Sequence, residues 1–524
     1  MMRLAVCAAL AMLLSACTRG PGEAGLRQDV QASVDALFGR QVLEVESFRR
    51  QGSAPYPASA DGTRQVIVYY NAIFKLAEAY DPSDWQGLGP TMIANAIGAS
   101  DEGITGLKAG RNEPGTQLRG YGSIVYRVAG DGWQPADVVA PHPSSAAATG
   151  GTVPKSEAEE LMRSLAALVQ QAPARRGPDD EIIAEELNQA LAAIRLRMNK
   201  EGSRVVIAAG PAGGEYSRFL ASVIGRREGP SPITIAETAG SVENAFLIER
   251  DEARAGLVQS DVAAAAITGY GIFSGTGPLG HLRAVASLFP EPVHIVVRAD
   301  SGIDRIQDLV GRRVALGNIA SGTRQTAIGV LAAAGIGIDR VIGLEEPSPQ
   351  VALDDLAAGR IDAVIEVVSA PWRQLEIEMH ASRLRLLPLD QETIARAVAE
   401  VHGLLPLDIP GRTYPGLVAS VPTVAATALL VARDDVPDAA VLHTLELLYA
   451  SAASGDAGVQ ATRLSKERAT SGITIPMHPA ARQYFGQYLG NTPGGAADAA
   501  TTTAPAPVDG AAAADPSRAG RSRQ

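Results

Sequence analysis

Arg313-Val314-Ala315-Leu316-Gly317-Asn318-Ile319-Ala320-Ser321-Gly322-Thr323 decides how the rest of this chain reads. The first four residues predict a short buried strand, and Arg324 to Ala334 predicts a helix. A strand that ends in small residues and restarts as a helix leaves several backbone N–H groups unpaired and pointing one way. The helix dipole adds partial positive charge at the same point. The turn suits either an anionic group, a carboxylate above all, or only a Ser or Thr cap in an ordinary βα connection.

The same grammar occurs about a hundred residues earlier. Val205-Val206-Ile207-Ala208 predicts a strand, Gly210-Pro211-Ala212-Gly213-Gly214 a turn, and a helix follows from Glu215. A strand (Ile233 to Ala236), a helix (Val242 to Ala253) and a strand (Ala255 to Gln259) come next. After Thr323 the order repeats with Val341 to Leu344, Val351 to Ala358 and Ile361 to Ile365. Two βαβαβ units predict two α/β lobes with parallel sheets. Ligands bind such sheets at the carboxyl ends of their strands, so two facing lobes make a cleft that can close.

The chain has 524 residues, 46% hydrophobic and 20% charged, which is globular and too long for one core. A net charge of −11 and the lack of a long Lys/Arg block argue against nucleic acid as a partner. The only cysteines are Cys7 and Cys17, which leaves no internal disulfide or thiolate site after them. The seven histidines show no metal-binding spacing, and neither a metal nor a cofactor is expected. No nucleophile elbow or Walker loop is present, and Gly275 to Gly280 matches a dinucleotide fingerprint without the preceding strand. The chain is not read as an enzyme.

Residues 1–17 predict an exported leader. A basic start is followed by Leu4 to Leu14, too short to span a bilayer, and then by Leu14-Ser15-Ala16-Cys17. That ending resembles the bacterial lipoprotein signal, which implies lipidation of Cys17 and a lipid-anchored, periplasm-facing or extracellular protein. Residues 26–137 predict a small α+β domain, with a helix at Gln28 to Phe38, a Trp-bearing helix at Ser83 to Ile97 and an antiparallel sheet. Tyr69, Tyr70, Phe74 and Trp85 are read as its core. Residues 138–201 predict a linker followed by helices, and that composition predicts that the first domain folds apart from the rest. Residues 202–490 form the two-lobed unit, with lobe 1 at about 202–297 and 418–490 and lobe 2 at about 298–417. Residues 491–524 predict a disordered tail.

Six motifs recur in this order in one family. They are Ala209 to Tyr216, Ala239 to Asn244, Gln259 to Val262, Ser321-Gly322-Thr323, Tyr414-Pro415-Gly416 and Ile475 to Pro479. Over Val205 to Tyr484 the chain resembles the TAXI group of solute receptors for TRAP transporters. The resemblance implies a two-lobed periplasmic binding protein fold of type II. It also implies capture of a small organic anion, such as glutamate or a dicarboxylate, and delivery to TRAP membrane permease subunits. Carried over by motif, the ligand-binding residues are Tyr216, Gly240, Ser241, Asn244, Gln259, Ser260, Ser321, Gly322, Thr323, Pro371 and Tyr414. The chain departs from the family at Ala209, Ser217 and Ala320, and at Val367 to Pro371, which leaves the ligand open.

Several residues have two roles open from sequence. Ser241 either caps the helix at Val242 or faces the ligand, and Asn244 either reaches back to that cap or binds. Asp261 is read as a cap or a solvated loop residue, Arg324 as a second partner for an anion, and His478 as an anchor for the closing segment. The other function class in play is a lipid-anchored sensor that signals through its first domain without transport.

Overall fold

The computed structural model describes residues 20–59, 61–130, 132–136, 205–224, 233–345, 348–381, 383–454 and 459–488. The leader with Cys17, the whole stretch 138–201 and the tail 491–524 lie outside the described residues.

The first domain runs α1 (Glu23–Phe38), β1 (Leu43–Tyr56), β2 (Gln65–Leu76), α2 (Pro90–Ala96), β3 (Ala99–Thr105), β4 (Gln117–Ala129) and β5 (Gly132–Pro135). Its antiparallel sheet has the order β1-β2-β4-β3, with β5 on the edge of β4. Leu26, Val30, Val34 and Leu37 make one buried stripe on α1, which the 3.6-residue period aligns on the face toward the core. Tyr70 and Phe74 are buried in that core, and Phe48 stacks on Tyr70. Tyr69, read as core, points the other way along the same strand and is 37% exposed, as the two-residue period of a strand requires.

The helix predicted over Ser83 to Ile97 is shorter than read. Only Pro90–Ala96 is helical, because Pro90 sets the first turn and holds Gly89 extended. Before it, the Asp81 carboxylate accepts from the N–H and hydroxyl of Ser83 and ties the chain into a turn.

The second unit runs β6 (Val205–Ala208), α3 (Glu215–Ile224), β7 (Ile233–Ala236), α4 (Ser241–Glu249), β8 (Ala255–Gln259), α5 (Ser260–Thr268) and the long β9 (Leu282–Arg298). Then come β10 (Arg313–Ala315), α6 (Gly322–Ala333), β11 (Ile342–Leu344), α7 (Pro349–Ala357), β12 (Ala363–Val367), α8 (Arg373–His380), β13 (Leu384–Leu386), α9 (Gln391–Glu400) and β14 (Leu405–Ile409). The chain closes with β15 (Val421–Arg433), α10 (Asp438–Ser454), α11 (Val459–Thr462) and α12 (Pro479–Tyr484).

Each lobe has a parallel trio with its first strand in the middle: β7-β6-β8 in lobe 1 and β11-β10-β12 in lobe 2. Antiparallel to each trio lies a strand that crosses between lobes. β15 pairs with β8, and β9 pairs with β12. β9 changes partner from β15 to β12 at Pro292–Val293, and the first half of β15 pairs with β14. Two crossing strands between two α/β lobes define a two-lobed binding-protein fold of type II, preceded here by a small α+β domain.

That first domain packs against both lobes. Its backbone at Ala109 donates to Ala452 of lobe 1, and its Asn95 side chain donates to Glu376 of lobe 2.

Candidate ligand-binding site

Three helix N-termini meet where the lobes face each other: α4 and α5 from lobe 1, and α6 from lobe 2. The cleft is closed. Ala320 accepts a backbone bond from Glu243 across it at 3.4 Å, and the Thr326 hydroxyl donates to Asp261 at 2.6 Å. A Cβ built on Gly240 would lie 3.4 Å from Ser321 Cα, and one on Gly322 would lie 1.7 Å from Gln259 Oε1. Gly322 therefore serves the approach of the two turns, while Gly240 serves the backbone of its own turn, since a Cβ there would meet Ser321 only at ordinary contact distance. Gly240 has a φ of 128°, which L side chains rarely adopt, whereas Gly322 carries no such φ and is limited by space alone.

The carried-over residues divide into three groups. Tyr216, Gly240, Ser241, Gln259, Ser321, Gly322 and Thr323 gather around the contact of the two turns. Asn244 is buried behind the lobe 1 turn. Its Nδ2 donates to the carbonyls of Ala209 and Leu257, and its Oδ1 accepts from Thr238, so it positions the turn. Ser260 is likewise built into the scaffold, donating to Gly403 and accepting from the N–H of Thr427.

Pro371 and Tyr414 sit near the hinge instead. The Tyr414 hydroxyl accepts from Trp372 N–H and donates to His294 Nε2 at 2.7 Å, while His294 Nδ1 donates to the Pro292 carbonyl. Burial pushes the imidazole pKa down to about 4, and a neutral ring that donates from Nδ1 accepts at Nε2.

Sequence reading of the caps needs correction. Gly240, not Ser241, is the N-cap of α4; Ser241 is the first helical residue, and its Oγ accepts from Gln259 N–H at 3.1 Å. Ser321 does cap α6, accepting from Arg324 N–H, but its own N–H donates to Asn318 within the turn. The Ser321 N–H is therefore spent inside its own turn. Asp261 is not a solvated residue. It is buried, and burial raises its carboxyl to about 6. Arg324 turns back toward the carbonyl of Gly317. His478 caps α12 and contacts the Val436 carbonyl, which is an anchoring role.

The structure adds a set of acids that the motifs did not contain. Tyr216 donates to Glu291 at 2.7 Å, and Thr323 donates to Glu366 at 3.0 Å. Desolvation pushes Glu291 up to about 8 and Glu366 up to about 7. Burial also acts on Glu215, but Arg463 at 2.6 Å and Arg218 outweigh it and hold that carboxyl below the usual range. Ser369 of lobe 2 donates to the same Glu215 of lobe 1. The sequence signal for these residues was present: Glu366 interrupts the apolar run of β12, and Glu291 stands between Pro290 and Pro292 on a crossing strand. A charge inside a buried strand needs a partner or a proton.

Two acceptors in the cleft, Gln259 Oε1 and Asp261 Oδ1, are buried without a hydrogen-bond partner. Among the described residues no group of three His, Cys, Asp or Glu is placed to hold a metal, and no helix is long and apolar enough to cross a membrane.

Residues 207–487, more than half of the chain, match the NMT1-like family, and the chain belongs to it. Among solved structures it is similar to an alkanesulfonate-binding protein of Xanthomonas axonopodis pv. citri bound to MOPS. That match has 17% identity over 48% of this chain and 73% of that one, with a TM-score of 0.31. The periplasmic aliphatic sulphonate-binding protein of Escherichia coli is 16% identical over 55% and 83%, with a TM-score of 0.33. A protein of R. palustris with adipate is 14% identical over 55% and 93%, also with a TM-score of 0.33.

Proposed function

As an NMT1-like protein with a closed two-lobed cleft, this chain is, we propose, a periplasm-facing receptor for a small organic solute. The observation that carries the reading is the meeting of helix N-termini from opposite lobes, with Gly322 leaving room for Gln259 between the turns. A solute held between them contacts both lobes only when they are closed, so its binding favours closure. The finer reading follows the TAXI resemblance. The solute is a small carboxylate, the Gly322 N–H and the hydroxyls of Thr323 and Tyr216 are its donors, and a TRAP permease receives it. In the closed cleft Glu366 and Glu291 accept from those same hydroxyls, so an incoming carboxylate takes their place. Lipidation at Cys17 would hold the receptor at a membrane.

Native mass spectrometry of purified protein, followed by calorimetry with the solute it releases, tests this. A co-purified carboxylate whose affinity falls roughly tenfold to a hundredfold in Thr323→Ala supports it, since a hydrogen bond to a charged group contributes about 1.5–3 kcal/mol. A cationic or uncharged solute overturns the carboxylate assignment. Detergent partitioning of wild type against Cys17→Ala tests the anchor.

A second reading, a sensor that relays binding through the first domain without transport, is favoured by one observation: that domain touches both lobes.

A further inference from the structure

The contacts of the first domain fall into two sets. Toward lobe 1, Arg468 reaches Ser83 at 3.2 Å and the carboxylates of Asp84 and Asp81 at 3.5 and 3.7 Å. Gln460 of α11 donates to Thr91, and Ala109 N–H donates to the carbonyl of Ala452. Ala109 also packs against the hydrophobic core of lobe 1. This set mixes apolar burial with polar contacts over several elements.

Toward lobe 2 the contacts are fewer and polar. Asn95 donates to Glu376 on α8 at 2.8 Å. Arg412, in the loop between β14 and β15, donates to the carbonyl of Phe38 at 3.3 Å. That carbonyl belongs to the last residue of α1, where the helix dipole places partial negative charge and a cation is favourable.

Two further features show that the Arg412 contact is built. Arg412 has a φ of 71°, a left-handed conformation that a non-glycine residue adopts only when its surroundings fix it. Opposite it, Gly39 ends α1 with a φ of 67°, and a Cβ there would lie 2.5 Å from the Arg412 guanidinium. The glycine thus makes the left-handed cap and leaves room for the guanidinium. At the junction a cavity of about 50 Å³ is lined by all three bodies, including Trp85 and Met92, Phe289 and Arg463, and Ala370 and Thr413.

A domain that touches both lobes constrains their relative motion. Opening moves lobe 2 away from lobe 1, and one set of contacts has to break. The lobe 2 set is the weaker. We infer that the first domain is a latch carried by lobe 1, which holds lobe 2 in the closed arrangement through Asn95–Glu376 and Arg412–Phe38. Cleft opening and release of the latch are then one event, and the domain's freedom reports the state of the cleft. The inference rests on the lobe architecture and not on which solute is bound, so its failure leaves the receptor reading intact.

The test measures the distance between lobes in the full chain. Cys7 and Cys17 are the only native cysteines, so Cys7→Ser and Cys17→Ser give a clean background for spin labels at Glu252→Cys in lobe 1 and Gln350→Cys in lobe 2. Pulsed electron resonance should give one short distance for the otherwise native chain. Asn95→Ala with Arg412→Gly should shift the distribution to longer distances, and Arg412→Lys, which keeps a cation, should shift it less. Near-ultraviolet circular dichroism checks that each variant is folded. If the double variant fails to fold, Arg412→Gly alone carries the comparison, since glycine accepts the left-handed backbone. An unchanged distribution in a folded variant overturns the latch.

Discussion

The two turns that meet in the cleft are alike in composition and unlike in construction. In lobe 1, Gly240 caps α4 without a side-chain cap, Thr238 and Glu243 accept from the N–H groups of Gly240 and Ala239, and the turn is held from behind by Asn244, whose amide bonds Ala209, Leu257 and Thr238. In lobe 2, Ser321 caps α6, Asn318 closes the loop through its carbonyl and side chain, and Thr323 fastens the helix start to Glu366. One turn is anchored in a core that excludes water, while the other is tied mainly to itself and carries Ile319 at 53% exposure. The lobe 1 turn should therefore be the fixed half of the site and the lobe 2 turn the adjustable half. Four predictions bear on that difference.

The largest effect is expected where the two turns touch. Gly322→Val puts a branched side chain where a single Cβ would already lie 1.7 Å from Gln259 Oε1. The lobes cannot then reach the observed arrangement, although each lobe is free to fold. Small-angle scattering should report a larger radius of gyration than wild type, with little change in melting temperature. A variant as compact as wild type would mean that Gln259 swings aside and that the contact does not set closure.

Next comes Asn244→Ala. It leaves the carbonyls of Ala209 and Leu257 buried without their donor, and each such orphan costs about 1–3 kcal/mol. A loss of about 3 kcal/mol in unfolding free energy is expected, read by urea denaturation. A loss below about 1 kcal/mol would show that the lobe 1 turn is not held from behind, and the proposed asymmetry would fail.

The outline of this fold was legible in the sequence because period and punctuation carried it. The strand β10, the glycine turn and α6 are marked by an apolar run, small residues and a restart, and the same marks appear at β6 and α3. The site was legible only in part. Asn244 stands at a motif position, yet its three bonds reach residues 209, 238 and 257, which only the fold brings together. Glu366 and Thr323 are 43 residues apart and meet because β12 runs beside α6. The bridging of both lobes by the first domain was not legible at all. It depends on Arg468, Asn95 and Arg412, single polar residues in no pattern, and local composition spoke only to where one folding unit ends.

The third prediction concerns proton uptake by the closed cleft. Glu366 is raised from 4.5 to about 7 and Glu291 from 4.5 to about 8 by desolvation. The closed fold holds protons there that an opened or unfolded chain releases. Their support is complete below the ordinary value and is lost as pH rises through the raised one. Melting temperature should therefore decline between about pH 5 and pH 8, and Glu366→Gln, which cannot ionise, should make the decline shallower. Glu215, held low by Arg463 and Arg218, works in the opposite sense at more acid pH, and His294, lowered from 6.5 to about 4, opposes the decline up to about pH 6.5, so the decline is clearest above that point. A variant profile as steep as wild type would remove Glu366 from the set of proton-holding groups.

The smallest effect is expected for Ser321→Ala. The Ser321 hydroxyl accepts from Arg324 N–H at 3.4 Å, a long bond, and donates to the Asn318 carbonyl at 2.7 Å. Losing a serine cap costs about 1 kcal/mol, and the lost donor bond lies in a turn close to water, where a solvent molecule replaces it. Global stability should fall by about that amount and no more, while amide exchange at Gly322, Thr323 and Arg324 should quicken locally, because a turn tied mainly to itself opens without unfolding the lobe. Glycine at the same position should cost only a few tenths of a kcal/mol at the cap, since it leaves the first N–H groups open to water. Hydrogen exchange followed by mass spectrometry reads both variants. If Ser321→Ala destabilises the whole chain as much as Asn244→Ala does, the lobe 2 turn is anchored as deeply as its counterpart, and neither half of the site is the adjustable one.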